Sequence, residues 1–420
     1  MIKNWVFHFC RNALRLPLGV FVRKIHFDGM GNLPKGKPIF LAGNHPNSFL
    51  DGVIYEHMSG WDVYTLTRGD VFNKPFANYV FRSMKLLPIF RARDASSDVA
   101  RKGNADTMNE LFDHFKKDST ILIFSEGSSY PEKAVRRLKK GTGHIAVEMI
   151  KRSDFTLDLQ IVPTAINYSK FGSLMQTIHV TFGEPIRLLD FESSIQEDSK
   201  KVAEQITEQL QAYLQDHVVV TKGDFSVEKE FVHQMMINEN YQPYTYKSKD
   251  TWSTTTAKLN TMSESMASEV RKYQDLLKIH RVDDANVGSR SFDALSVLLA
   301  IFTFGVSFPT YLIWKLIWKA ITNGVDNNVK NVVFHDSLKV GFGMFASLFL
   351  TIISGVVFFN LFSSIWAIVF TISAIYGGIC WFRVVDLLPY FIKQITWVGL
   401  SDKVKKDLFN QRQLIVQHIT

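Results

Sequence analysis

The chain is 420 residues long and has only two cysteines, Cys10 and Cys380, one near each end and each in apolar surroundings. With no CxxC pair and no Cys/His cluster, a disulfide framework and a structural zinc site are both excluded as organising principles. Also lacking is any Arg/Lys block interleaved with aromatics, so the excess of 48 basic over 40 acidic residues does not read as a nucleic-acid module. It reads instead as attraction to an anionic lipid or a phosphorylated small molecule. Disorder is excluded by the 46% of hydrophobic residues. What the last third lacks is charge: 294–314 and 340–382 contain no Asp, Glu, Lys or Arg.

A membrane span needs about 20 apolar residues. The run 340–382 holds two, with Asn360, Ser363 and Ser364 marking the turn of a helical hairpin. Gly305, Ser307 and Pro309 interrupt the first run, so 294–318 reads either as a span or as a re-entrant segment. Arg271, Lys272, Lys278 and Arg281 precede these segments and Lys403, Lys405 and Lys406 follow them, which puts both flanks on the cytoplasmic side. The expectation is an integral membrane protein with its site on the cytoplasmic face of the inner membrane. No charge falls inside the 43-residue run, and the spans are few, so a transporter is not expected.

At the N-terminus, Lys3, Arg11, Arg15, Arg23 and Lys24 alternate with Trp5, Phe7, Phe9, Leu14, Leu18 and Phe21. That pattern predicts an amphipathic helix over 1–24, either lying in the headgroup layer or packed as an ordinary helix on the flank of the domain. From 25 to 220, short apolar runs at Ile39–Ala42, Ile121–Phe124, Leu157–Ala165 and Ile178–Phe182 alternate with helical stretches near 97–116, 143–152 and 196–216. This predicts an α/β domain, a mixed sheet flanked by helices. Residues 221–290 read as a helical connector, 291–392 as the membrane region and 393–420 as a basic cytoplasmic tail.

The chemistry gathers where these strands end. After Pro38–Ala42 comes Gly43–Asn44–His45–Pro46–Asn47–Ser48–Phe49–Leu50–Asp51. A carboxylate can accept the Nδ1 proton of a histidine and leave Nε2 to take a proton from a hydroxyl. Six positions along a straight helix amount to about 600°, which would send the two side chains apart. A turn is required, and Pro46 supplies it by holding His45 extended. The strand ending at Phe124 runs into Ser125–Glu126–Gly127–Ser128–Ser129, where a glycine permits close approach to an anion. Cationic candidates for phosphate are Arg91 and Arg93 after Leu87–Pro88–Ile89–Phe90, and Arg136, Arg137, Lys139 and Lys140 before Gly141–Thr142–Gly143.

Four blocks, Asn44–His45 to Asp51, Leu87–Arg91 preceded by Thr67–Phe72, Phe124–Gly127, and Ile161–Ala165, resemble in their order those of the glycerolipid acyltransferase family of glycerol-3-phosphate and lysophosphatidate acyltransferases. The resemblance implies that His45 deprotonates an acceptor hydroxyl for attack on an acyl thioester, with Asp51 orienting it. It implies that Arg91 with Glu126 and Gly127 arranges the phosphorylated acceptor, that Lys140, in a segment similar to one of the fungal-type branch, contacts phosphate, and that the fourth block lines the acyl chain; Asn44, Arg93, Ser125 and Ser128 stand beside these as further candidates for binding substrate. It implies no cofactor and no metal; the donor is acyl-CoA or acyl carrier protein, and the acceptor a phosphorylated glycerol or a lysophospholipid. Five residues separate His45 from Asp51 where four are usual, as in the fungal glycerol-3-phosphate acyltransferase branch and its bacterial relatives. Ser125 replaces the commonest proline, and Ser128–Ser129 a common threonine–arginine. Backbone amides around Gly127 or Asn44 are the candidates for holding an oxyanion. Another lyso-lipid acceptor stays open, as does a catalytically idle lipid-binding protein with the same fold.

Overall fold

The computed structural model describes residues 2–57, 61–90, 97–237, 249–287, 294–361, 365, 368, 371, 382, 388–389 and 391–419. Two compact units emerge from the contacts.

The first unit comprises Met1–Arg11, Phe27–Asn167 and His179–Val218. Its eight-stranded sheet runs in the order β1 (Val22–Asp28), β7 (Gln176–Phe182), β6 (Gln160–Tyr168), β2 (Ile39–Gly43), β5 (Thr120–Phe124), β3 (Val63–Arg68), β4 (Leu86–Ile89), with β8 (Ile186–Arg187) antiparallel to β6. The four pairings among β6, β2, β5, β3 and β4 are parallel. Central strands buried on both faces must be apolar throughout rather than alternating. Ile39–Gly43 obeys this, every residue being buried. The expected mixed sheet flanked by helices is what forms.

Helices α4 (Ser97–Phe115), α5 (Gly141–Arg152) and α6 (Glu192–His217) cover the sheet. A stripe of Val202, Ile206, Leu210 and Leu214 is buried at four-residue spacing on α6 and joins Phe40, Phe115, Ile121, Met149 and Ile161 in one core. α6 kinks at Asp198 (φ −146°), whose carboxylate accepts from the Lys200 and Lys201 amides and so caps the longer segment. Gly143 makes the α5–α6 approach possible, since a Cβ there would collide with the Ala203 carbonyl.

The second unit contains Asn12–His26, Tyr168–Ile178 and Val219–Thr420. Here the expected connector proves to be a folded helical layer. α7 (Ser226–Ile237), α8 (Lys249–Asn260) and α9 (Glu264–His280) bury Val232, Trp252, Leu259, Val270 and Tyr273 against Leu408, Ile415 and Ile419 of the last helix, Asp402–Ile419. The basic tail is therefore part of a core, because Leu408, Ile415 and Ile419 share one buried face, on which Arg412 is buried with them. α11, Ala294–Asn328, passes through Gly305 and Pro309 as one helix of 35 residues, so the segment 294–318 does not turn back on itself. After a single turn at Val332–Phe334, α12 (His335–Leu361) follows; among the described residues Val332–Leu361 is the one stretch long and apolar enough to cross a membrane. The hairpin turn at Ser363–Ser364 and most of its second arm lie outside the described residues. At the other end of the chain the amphipathic segment is helical as Ile2–Phe21 and then becomes strand β1 (Val22–Asp28).

Candidate active site

Parallel register puts Gly43 of β2 opposite Phe124 of β5. Both strands stop there, so the loops Asn44–Asn47 and Ser125–Ser129 emerge side by side at the carboxyl edge of the sheet, where open α/β sheets hold their ligands. The Ser125 amide donates to the Gly43 carbonyl at 2.9 Å and prolongs the pairing.

α2 (Ser48–Tyr55) begins only after the turn that Pro46 requires, with Ser48 itself in the left-handed region (φ 45°). This turn carries the His45 ring back over Asp51. His45 Nδ1 lies 2.8 Å from Asp51 Oδ2, and the same oxygen accepts the Asn47 amide at 2.8 Å. Asp51 is completely buried, whereas 20% of the His45 side chain is open to solvent. The imidazole stacks on Phe124, with 3.9 Å between centroids and 6° between planes. Two of its surfaces are thus fixed, and Nε2 is the ring nitrogen left for a reacting partner.

Glu126 holds the loops together from beneath. It is 7% exposed, and burial pushes its carboxyl up to about 7 from 4.5, against the opposing influence of backbone hydrogen bonds from His45 and Arg136; the Asp51 charge raises it further. Gly127 turns the chain in the left-handed region (φ 68°), and its amide donates to the Phe124 carbonyl at 3.1 Å, so that N–H closes the turn.

Other expected site residues have structural partners. The Asn44 amide clasps Ile166, donating to its carbonyl at 3.0 Å and accepting from its N–H at 2.8 Å, which ties the His45 loop to β6. Ser125 Oγ pairs with Thr142 Oγ1 at 2.8 Å, and Ser128 Oγ donates to the Gly127 carbonyl. Lys140 is directed to Glu204 of α6, 2.6 Å away in an exposed pair, and is not brought into the dyad's hydrogen-bond group. Arg91 and Arg93 lie outside the described residues. Arg136 covers the Tyr130 ring at 3.5 Å and pairs with Glu132, while the Tyr130 amide donates to the His45 carbonyl. Sequence reasoning missed Phe124 as a stacking partner, and Ser129, whose Oγ accepts the Ser48 amide at 2.6 Å. The signal for both is their adjacency to strand ends that share a register. Among the described residues no group of three His, Cys, Asp or Glu side chains could hold a metal.

The segment that holds the dyad matches a family model. Residues 24–167 match the family described as Acyltransferase. A solved structure described as the 1-acyl-sn-glycerophosphate (LPA) acyltransferase, PlsC, from Thermotoga maritima is similar over 51% of this chain and 79% of its own, at 17% identity and a TM-score of 0.34. No curated protein matches.

Proposed function

From the premise that residues 24–167 are an acyltransferase domain, we propose that the chain moves a fatty acyl group from a thioester to a hydroxyl of glycerol-3-phosphate or lysophosphatidate, with His45 as the base. The observation that carries this reading is the dyad: a half-open imidazole fixed through Nδ1 to a buried carboxylate and clamped on Phe124.

In this reading the acceptor hydroxyl gives its proton to His45 Nε2 as its oxygen attacks the thioester carbonyl. The tetrahedral intermediate then expels the thiolate, which recovers the proton from the imidazolium. Asp51, charged and dry, stabilises the imidazolium and fixes the tautomer. Glu126 is a positioning residue here, since it reaches the reacting atoms only through the His45 backbone. Arg91 and Arg93 are the cations assigned to the acceptor phosphate. A thioester is already activated, so the residues described supply proton transfer and orientation.

The sequence of charge-free runs and the exposed apolar faces of α11 and α12, including Leu312, Leu316, Phe345, Phe349 and Ile352, support an anchor in the membrane with the domain on the cytoplasmic side. The test offers labelled acyl-CoA and acyl-loaded carrier protein with glycerol-3-phosphate, lysophosphatidate or lysophosphatidylcholine to the full chain in vesicles. Transfer to one of the first two acceptors, absent in His45→Ala, is expected. Transfer confined to lysophosphatidylcholine contradicts the acceptor assignment, and transfer that survives in His45→Ala contradicts the mechanism.

A further inference from the structure

The second unit carries a polar pocket for which the proposed acyl transfer has no use. About 250 Å³ in volume, it is lined by Arg23, Ser169, Lys170, Ser173, Leu174, Met175, Gln176, Thr177 and Gln234, and so holds two cations and no carboxylate. That is ample for a polyatomic anion rather than a single water. Gln176 defines its selectivity. The side chain is 2% exposed and its Nε2 donates to the Ser173 carbonyl at 3.3 Å, while its Oε1 accepts no hydrogen bond among the described residues. A buried amide oxygen needs a donor, and the oxygens of a phosphodiester have no proton to offer. For a phosphodiester drawn in by Arg23 and Lys170, a hydroxyl carried beside it is the group that satisfies Gln176.

Two contacts set the depth of this pocket against the anchor. Leu174 and Met175, two of its wall residues, pack with Val20 and with Trp314, Trp318, Leu350 and Phe382 of the apolar helical region. The Gly172 amide, in the same β6–β7 turn, donates to Asp336 at 3.1 Å, in the first turn of α12. Tryptophans and the first polar turn of a spanning helix mark the headgroup layer, and basic pockets at that level take anionic headgroups.

We infer that this pocket binds the headgroup of an anionic phospholipid whose phosphodiester carries free hydroxyls, as a phosphoglycerol group does, with Arg23 and Lys170 on the phosphate and Gln176 Oε1 on a hydroxyl. The inference rests on the membrane anchoring proposed above, and not on the acyl-transfer chemistry.

The test uses the full chain in phosphatidylcholine nanodiscs doped with phosphatidylglycerol or with phosphatidylmethanol, which has the same charge and no hydroxyl, with native mass spectrometry counting retained lipids. Phosphatidylglycerol should be retained in preference to phosphatidylmethanol. Lys170→Gln, an exposed change, should weaken retention of both about five-fold, and Gln176→Met should erase the preference between them. Equal retention of the two lipids by the unaltered chain, or no effect of Lys170→Gln, overturns the proposal. Displacement of phosphatidylglycerol by millimolar glycerol-3-phosphate would instead assign the pocket to a soluble phosphate ester and overturn the lipid source. Release of the chain from vesicles by alkaline carbonate would show that the anchoring itself fails, separately from any lipid preference.

Discussion

Asp51 Oδ2 receives both the Asn47 amide and the His45 ring, and the carboxylate is completely buried although the imidazole is partly open. Replacing it by Asn keeps the volume but removes the charge that supports the imidazolium. Asp51→Asn is expected to lower kcat by on the order of 10²–10⁴ with little change in KM for the acceptor, as steady-state kinetics on both substrates would show. Glu126 leads to a prediction of stability. Its carboxyl is pushed up to about 7 when folded, so the neutral form is favoured by folding. The stability it lends is complete below about pH 4.5, falls as pH rises through 4.5–7 and is gone above, a span on the order of 3 kcal/mol. Glu56, also raised to about 7 by burial, acts in the same direction. Melting midpoints from pH 5 to 8 should fall less steeply in Glu126→Gln, and less again when Glu56→Gln is added. An unchanged slope would show that the buried carboxyl is not raised. The dyad was legible in the sequence because its chemistry is local and Pro46 announces the turn. The Phe124 clamp was not, because it depends on which residue of β5 stands opposite Gly43, a matter of register between segments about 80 positions apart.

At the scale of elements, glycine and caps decide the packing. Gly143→Ala would push a methyl into the Ala203 carbonyl and force α5 from α6; a cost of about 1–3 kcal/mol is expected, read as a lower melting midpoint, with the site below Thr142 loosened as well. Ser263, whose side chain accepts the Met266 amide at 3.3 Å, caps α9, so Ser263→Ala should cost about 1 kcal/mol without affecting acyl transfer. Strands β2 and β5 were readable as unbroken apolar runs, and α4 to α6 by their period. β3 was not, since Thr65, Thr67 and Arg68 dilute its apolar signal, nor was the short β4. Pro309 and Gly305 suggested an interruption that the helix α11 does not show: a proline in a long apolar helix costs one hydrogen bond, and that is not enough to end it.

Across the whole molecule, long-range partners made the difference between expectation and structure. The layer from α7 to α9 looked like a connector because its core is completed only by the last helix, more than 100 residues on. Arg412, 1% exposed, donates from Nε to Asp284 Oδ1 at 2.8 Å, and Tyr273 donates to the same oxygen at 2.6 Å. Burial pushes the Asp284 carboxyl up, and Arg412 opposes this. Arg412→Leu leaves that carboxyl dry and without its cation, with the Tyr273 hydroxyl still donating to it, so a loss of about 3–5 kcal/mol is expected. The topology is testable on the same helix: Lys406→Cys should react with an impermeant maleimide only once the membrane is opened. The claim on which the rest depends is that His45 takes the proton from the acceptor. It is tested most directly by the rate of thiol release from acyl-CoA with and without glycerol-3-phosphate or lysophosphatidate, in the unaltered chain and in His45→Ala. Release that requires the acceptor and falls by at least 100-fold in the variant is the predicted result; acceptor-dependent release at an unchanged rate in His45→Ala would contradict the account.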